Sequence, residues 1–324
     1  MNQVFVNSKH FTQFDKDGFI KLDRCVISAE EITALSDFLQ SSGVKKSTEI
    51  GFDVSMEHNN KNLVKEMMDK IQNIVLPKLA PIIQHVKPFI ATYIIKDPNV
   101  KNIILPHQDW TFIEDEENMF SFTCWIPLVD VDLKNGCMGF IKGSHKFFDT
   151  IRASPSSNLS TPLSNHLYSL IPYMELVAMK AGELLIFNNK VFHASLPNTS
   201  AFKRPAVGIV FTCNEAQFCH YYLKPGTKDT LLKYKISTDF FHKYDDKILS
   251  DLYESGKIIS DFELLNEVKY NYKEVNKSVM KRMVMDVGNV FNNDVYKYIN
   301  KTYKKEIKFN FIDFLRNLFT TKLN

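Results

Sequence analysis

Between residues 89 and 212 the chain is a succession of short apolar runs, and this spacing constrains the fold more than any other feature. Segments 89–96 (PFIATYII), 120–129 (FSFTCWIPLV), 137–141 (CMGFI), 174–179 (MELVAM), 184–187 (LLIF) and 206–212 (AVGIVFT) each have the length of a strand. Turn material separates them, including Lys134-Asn135-Gly136, Lys142-Gly143-Ser144 and Ala181-Gly182. Many short strands punctuated in this way predict a β-sandwich or double-sheet barrel.

The flanks read differently. Asp17-Gly18-Phe19-Ile20-Lys21-Leu22 alternates like a short strand after a turn. Ser28 and Glu31 form a capping-box pattern ahead of Ile32, Leu35 and Leu39, which recur at helical spacing. Residues 43 to 59 are irregular, and Asn60 to about His85 is again helical, with Pro77 and Pro81 set to break or kink it. A Ser-, Asn- and Pro-rich stretch from Ser154 to about Pro172 sits between strands, where a long loop is either functional or a tolerated insertion. After about Pro225 the pattern turns helical, over Thr238 to Tyr253, Phe262 to Val268, Val275 to Tyr303 and Ile307 to Leu318. The expected organisation is therefore a mainly β core with N-terminal helices over residues 1–223 and a helical C-terminal extension over 224–324, packed on the core.

Composition excludes several classes of function. A formal charge of +3 over 324 residues is close to neutral, which argues against a nucleic-acid binder. No run approaches the ~18 apolar residues of a transmembrane segment, and the N-terminus has no apolar signal region. Cys25, Cys124, Cys137, Cys213 and Cys219 are odd in number and contain no C-x-x-C pair, so neither a disulfide framework nor a structural zinc site is expected. A reducing, cytoplasmic setting follows. The basic residues are strongly biased to lysine. Arginine is favoured where a planar, bidentate donor is wanted, so Arg24, Arg152, Arg204, Arg282 and Arg316 are each informative.

The first chemical signal is His107-Gln108-Asp109. On extended backbone, residues two apart project to one face, so both side chains can meet one ion. Alone the triplet carries little, because a His and an Asp on a polar loop account for it as well. The second signal is Phe187 to Asn198, which reads as a strand, a turn and a second short strand carrying His193. Arg204 follows eleven residues later, and Pro205 favours extended backbone at that arginine. Two imidazoles and one carboxylate form a face that leaves three coordination positions open and suits non-haem Fe(II). A bidentate keto acid takes two of those positions and dioxygen the third. The far carboxylate of such a keto acid needs a permanently charged partner, which Arg204 supplies as a planar fork. Ser195, two residues past His193, lies on the same face and adds a hydrogen bond.

Taken together these residues resemble the phytanoyl-CoA dioxygenase family of Fe(II)/2-oxoglutarate-dependent oxygenases. The resemblance runs from Phe14-Asp-Lys-Asp-Gly-Phe19 to about Phe211. It includes His107-Gln-Asp-Trp110, Trp125-Ile-Pro-Leu-Val-Asp130, Asn135-Gly-Cys-Met-Gly139, Gly143-Ser-His145 and His193-Ala-Ser195 through Arg204. It implies a double-stranded β-helix (jelly-roll, cupin-like) core, with His107, Asp109 and His193 as iron ligands. Ser195 and Arg204 would hold the distal carboxylate of 2-oxoglutarate, and Trp125 would line the cosubstrate pocket, though a core aromatic on a strand explains Trp125 equally. His145 lies in what resembles a structural turn of the family rather than a ligand position. His220, with Cys213 and Cys219, is metal-like by residue type only, and nothing in the spacing makes it a site. In related halogenases a Gly or Ala replaces the carboxylate, so Asp109 implies hydroxylation, desaturation or oxidative cyclisation of an unactivated C–H bond. Succinate and CO2 would be released, and ascorbate would be a supporting reductant.

The substrate is expected to be a small organic molecule, walled by residues 43 to 59, 111 to 118, 150 to 173 and part of the helical tail. The acidic run Glu114-Asp-Glu-Glu117 reads as a solvated loop, with recognition of an amine as the sharper alternative. Between Glu267 and Asn324 there are twelve Lys/Arg against six Asp/Glu. The preferred reading of this basic tail is a helical cap on the core, and the alternative is a docking element for a carrier protein or membrane surface. Two rival classes stand beside the oxygenase. One is a binding protein on the same scaffold without turnover, and the other is a metal-binding enzyme that uses no keto acid.

Overall fold

The computed structural model describes residues 4–43, 51–99 and 102–301. Helix α1 (Ser8–Asp17) ends at Gly18, whose φ of 84° closes the helix in the left-handed region and turns the chain into β1 (Phe19–Cys25). Helix α2 (Ala29–Ser41) starts at the Ser28–Glu31 capping box, with both reciprocal hydrogen bonds formed. Then come β2 (Phe52–Val54), α3 (Lys61–Leu79), β3 (Val86–Lys96), β4 (Ile104–His107), β5 (Ser121–Pro127) and β6 (Met138–Phe140). The chain continues through α4 (Leu167–Leu170), β7 (Glu175–Val177), β8 (Glu183–Asn188), β9 (His193–Ser195), β10 (Arg204–Cys213) and β11 (Cys219–Leu223). The elements β12 (Thr230–Lys235), α5 (Phe240–Lys243), α6 (Asp246–Glu254), β13 (Glu263–Lys269) and α7 (Lys277–Asp286) follow, and residues 293–301 are helical again.

Two antiparallel sheets form the core, as expected for a double-stranded β-helix. The larger has the order β1-β8-β5-β10-β3-β2 and the smaller β4-β9-β6-β7. The apolar runs are nearly continuous because the larger sheet is covered on both faces. Along β5, Phe122, Cys124 and Ile126 point outward and pack with Leu35 of α2 and Met67 and Ile71 of α3. Trp125 points inward and packs with Met138 and Phe140 of the opposite sheet and with Phe187 and Ala206. Every residue of β5 is buried. Among the described residues no helix is long and apolar enough to cross a membrane.

The sheet register positions the site. Strand β9 lies between β4 and β6, with His107 opposite His193 on one side and Phe140 opposite His193 on the other. On the larger sheet, Arg204 opens β10 directly opposite Lys96, the last residue of β3.

The C-terminal region departs from the helical expectation in two elements: β12 lies wholly within it, and so does β13. Phe262 to Val268 is not helical: Glu263–Lys269 is β13, the edge of a three-stranded sheet β11-β12-β13. Periodicity cannot separate helix from strand in so short a run. What decides it is a partner far away in sequence, since β13 is registered on β12 with Lys224–Glu267 and Lys269–Asp229 ion pairs alongside. The expected division at 223/224 falls inside the β11–β12 hairpin. The Ser154–Pro172 stretch is a chain of short helical turns whose Leu163 and Leu170 are buried against Met280 and Val284 of α7. The predicted Ile307 to Leu318 helix, and with it the end of the basic tail from residue 302, lies outside the described residues.

Gly136, in the turn before β6, has a φ of 85°, and a Cβ there would collide with the carbonyl oxygen of Leu196 just past β9. Substituting Gly136→Ala should therefore lower unfolding stability by about 1–3 kcal/mol, measured by denaturant titration. An unchanged midpoint would mean that this turn does not brace β9.

Candidate metal centre

His107 closes β4, and the strand does not continue to Asp109, as the same-face argument from extended backbone had assumed. Asp109 is instead placed by the loop that follows, where its backbone N–H donates to the carbonyl of Asn189 at 2.9 Å. Asn189 is fixed in turn by Thr123 of β5, whose hydroxyl donates to its side-chain oxygen at 2.9 Å. The three side chains nevertheless meet. Asp109 Oδ1 lies 3.9 Å from His107 Nε2 and 3.8 Å from His193 Nε2, and the three ligand atoms lie within 4.8 Å of one another. Donors on one ion, with bonds of about 2.1 Å, can be separated by at most about 4.2 Å. Both carboxylate–imidazole pairs fall inside that limit.

Each imidazole is oriented in the same way. His107 Nδ1 donates to the Leu105 carbonyl at 2.9 Å and His193 Nδ1 to the Val191 carbonyl at 3.0 Å. That bond fixes the tautomer and turns the lone pair of Nε2 toward Asp109. Burial pushes the His193 pKa down to about 4; the His107 ring beside it acts the same way, and nearby Asp109 opposes. At neutral pH His193 is therefore an uncharged donor, as a metal ligand must be.

All six residues expected at the site line one cavity of about 500 Å³: His107, Asp109, His193, Ser195, Arg204 and Trp125. Arg204 is 1% exposed, and its Nε and Nη1 have no hydrogen-bond partner. Its guanidinium lies over the Trp125 ring, 5.4 Å from the centroid, and burial pushes its pKa down to about 10. Trp125 is both core aromatic and cavity wall, with an indole N–H that is also unpartnered. Buried unpaired donors on a cation are costly. Their presence beside three ligand side chains is what a site for an anionic ligand requires. The remaining lining is mostly apolar, including Phe52, Met56, Ile90, Phe112, Val210 and Phe241.

Among the histidines set aside, His145 is buried in the Gly143 turn with Nε2 on the Asp15 carbonyl at 3.0 Å. His220 shares a 2.7 Å hydrogen bond with Ser154 Oγ, and burial holds its pKa near 3. Neither belongs to a group of metal-ligating side chains. Among the described residues, His107, Asp109 and His193 form the only such group of three or more.

The acidic run at 114–117 is a solvated loop only in part: Glu114 and Glu117 are exposed, while Glu116 turns inward. Glu114 pairs with Lys233 at 2.9 Å, and Glu116 pairs with Arg152 at 2.5 Å, with side chains 15% and 6% exposed. The run does not line the cavity, so it does not receive an amine there. The Arg152–Glu116 pair has a different role, which sequence reasoning missed. Arg152 Nε donates to the Asp109 carbonyl at 2.6 Å, and its Nη2 lies 3.5 Å from the Trp110 carbonyl. It grips the backbone that presents the carboxylate. The scarcity of arginine was the available signal, since Arg152 is one of five.

A family model described as phytanoyl-CoA dioxygenase matches residues 14–206. Phytanoyl-CoA dioxygenase domain-containing protein 1 of Danio rerio is 30% identical over 141 residues, covering 42% of this chain and 47% of that protein. Phytanoyl-CoA dioxygenase 1 of Oryza sativa subsp. japonica is 30% identical over 122 residues, covering 37% of this chain and 42% of that protein. The chain thus spans about half the length of the curated relatives it matches. Among solved structures, the non-heme alpha-ketoglutarate-dependent carbocyclase SnoK from nogalamycin biosynthesis has the same fold. Its TM-score is 0.50 at 18% identity, over 66% of this chain and 86% of that one.

If Arg152 sets the attitude of Asp109, Arg152→Lys should keep the ion pair with Glu116 yet lose the Nε contact. Metal affinity, measured by titrating the metal-free protein with Mn(II), is expected to fall roughly tenfold to a hundredfold. An unchanged affinity would show that the Asp109 carbonyl needs no such support.

Proposed function

The chain belongs to the phytanoyl-CoA dioxygenase family, and from that premise we propose that it is an Fe(II)/2-oxoglutarate-dependent oxygenase. It would oxidise an unactivated C–H bond of a small, largely apolar molecule. One observation carries the reading: a buried guanidinium with two unpartnered donor atoms opens onto the same cavity as a His-Asp-His triad. A metal site that used no keto acid would have no need of that cation, and a scaffold without turnover would have no reason to hold it unpaired.

The residues fit the groups they would hold. His107, Asp109 and His193 offer two neutral nitrogens and one carboxylate, the donor set of non-haem Fe(II). Arg204 and Ser195 offer a charged fork and a hydroxyl to the distal carboxylate of 2-oxoglutarate. Bound there, the ferrous ion supplies the chemistry that couples dioxygen and decarboxylation of the keto acid, giving succinate and CO2, to oxidation of the substrate. The chain's own part is to orient and to exclude water. Trp125 closes the wall beside Arg204, which strengthens the guanidinium–carboxylate contact by keeping solvent away. Phe52, Met56, Phe112 and Phe241 line the same chamber, and suit a substrate with a hydrophobic body. Trp110 and Ser156 also line it, and the Trp110 indole N–H donates to Ser156 Oγ at 3.0 Å. The segment beginning at Ser154 thereby contributes a polar point to the wall, beside the carboxylates of Glu57, Asp245 and Asp246.

The test is succinate release with Fe(II), ascorbate and 2-oxoglutarate. Asp109→Ala and His193→Ala should each abolish it, and Arg204→Ala should chiefly raise the concentration of 2-oxoglutarate needed. A charge-assisted contact is worth about 1.5–3 kcal/mol, so that increase should be roughly tenfold or more. Release that survives either ligand substitution unchanged would refute the assignment.

A further inference from the structure

Lys96 is 0% exposed, and its side chain leaves the sheet on the same face as its cross-strand partner Arg204. Its ammonium donates to three backbone carbonyls: Asn102 at 2.6 Å, Ser195 at 3.0 Å and Leu196 at 2.6 Å. Three acceptors require three N–H donors, which a neutral amine does not have. Burial, and then the charge of Arg204, push the Lys96 pKa well down, and the only other neighbour acting on it is the Cys137 thiol. The thiol is also the neighbour that acts on Arg204. Two buried cations therefore stand side by side, and among the described residues neither forms an ion pair with a carboxylate.

A polar knot surrounds them. Asn198 donates through its backbone N–H to Asn102 Oδ1 at 2.9 Å and through Nδ2 to the carbonyls of Lys96 and Phe202 at 3.0 and 2.7 Å. Asn102 Nδ2 donates to the carbonyls of Asp97 at 2.5 Å and Gly51 at 3.1 Å. This ties the end of β3, the approach to β4, the exit of β9 and the approach to β10 into one unit. Ser195 and Arg204, nine residues apart in the chain, are held in fixed relation by it.

We propose that Lys96 is a positioning and selectivity residue for the cosubstrate, an inference that rests on the 2-oxoglutarate reading above. It clamps the Ser195–Leu196 backbone, and it adds a second positive charge behind Arg204. The pocket thereby favours a keto acid with a second carboxylate over one without. Lys96 does not line the cavity, so it acts through the field and through β9, not by contact. The distal carboxylate of the cosubstrate is the anion that the two cations lack among the described residues.

Equilibrium binding to the Mn(II)-loaded protein without oxygen separates this from turnover. The probes are 2-oxoglutarate and 2-oxovalerate, which differ in the distal carboxylate. Lys96→Met should weaken 2-oxoglutarate roughly tenfold and 2-oxovalerate far less, shrinking the ratio between them. Asn198→Ala, which loosens the knot and leaves both charges, should weaken the two acids alike. Should Lys96→Met not fold, Arg204→Met with Lys96 intact should keep a residual preference for 2-oxoglutarate. A wild-type ratio in Lys96→Met, or no preference at all in Arg204→Met, would overturn the role given to Lys96 and leave the cosubstrate reading standing. A wild-type protein that binds neither acid would remove that reading itself.

Discussion

The antiparallel pairing of β4 with β9 is the constraint from which the site follows. It sets His107 directly across from His193, with ring centroids 4.2 Å apart, and so brings together imidazoles separated by more than eighty residues of chain. Side chains alternate along a strand, so a slip of one residue in that register would carry His193 and Ser195 to the other face. Both strands are short, and neither could hold its register alone. β9 is held from its other side by β6, where Met138 pairs with Ser195 and Phe140 with His193. The apolar layer between the sheets, with Phe140 and Phe187 against His193, keeps that arrangement dry.

Around this frame the chain places charge where burial is least tolerant of it. Arg204 and Lys96 are both essentially inaccessible, and Arg152 is matched to Glu116 a short way off. The last is an ordinary buried pair, satisfied within the chain. Lys96 is hydrogen-bonded to three carbonyls and Arg204 keeps two donors without a partner, but among the described residues neither has a paired carboxylate, and removing two cations from water without counter-charge costs several kcal/mol. A protein keeps such an arrangement where ligand binding relieves it, which is why unpaired buried cations mark a site more sharply than the exposed acids and lysines elsewhere on this chain.

Much of this was legible in the chain and some was not, for a definite reason. His193 and Ser195 announce themselves through local spacing, because strand geometry converts an offset of two into a shared face, whereas His107 and Asp109 show the right spacing but are brought together by the loop that follows β4. The covered sheet announced itself through apolar runs and turn residues. Lys96, Arg152 and Glu116 looked like ordinary members of a charged surface, because what distinguishes them is the partner. Lys96 reaches Ser195 across 99 positions and Arg152 reaches Asp109 across 43. β13 failed for the same reason. Its side chains are mostly exposed, and the β12 edge that makes it a strand lies some thirty residues earlier.

The C-terminal limit of the family match runs through the cavity itself. The metal ligands, Ser195, Trp125 and Arg204 all fall within the family match of 14–206. Part of the opposite wall does not: Val210, Phe241, Asp245 and Asp246 come from beyond it. Asp245 caps α6 through the Ile248 N–H at 2.8 Å, and Asp246 accepts from the backbone and hydroxyl of Ser156 at 2.9 and 3.0 Å. The C-terminal segment is thus fastened to the Ser154 stretch at the point where both line the chamber. The metal-ligating side chains and this part of the wall are thus built from separate stretches of chain. The wall that α5 and the start of α6 contribute therefore lies outside the residues on which family membership rests, whereas Ser156, to which α6 is fastened, lies within them.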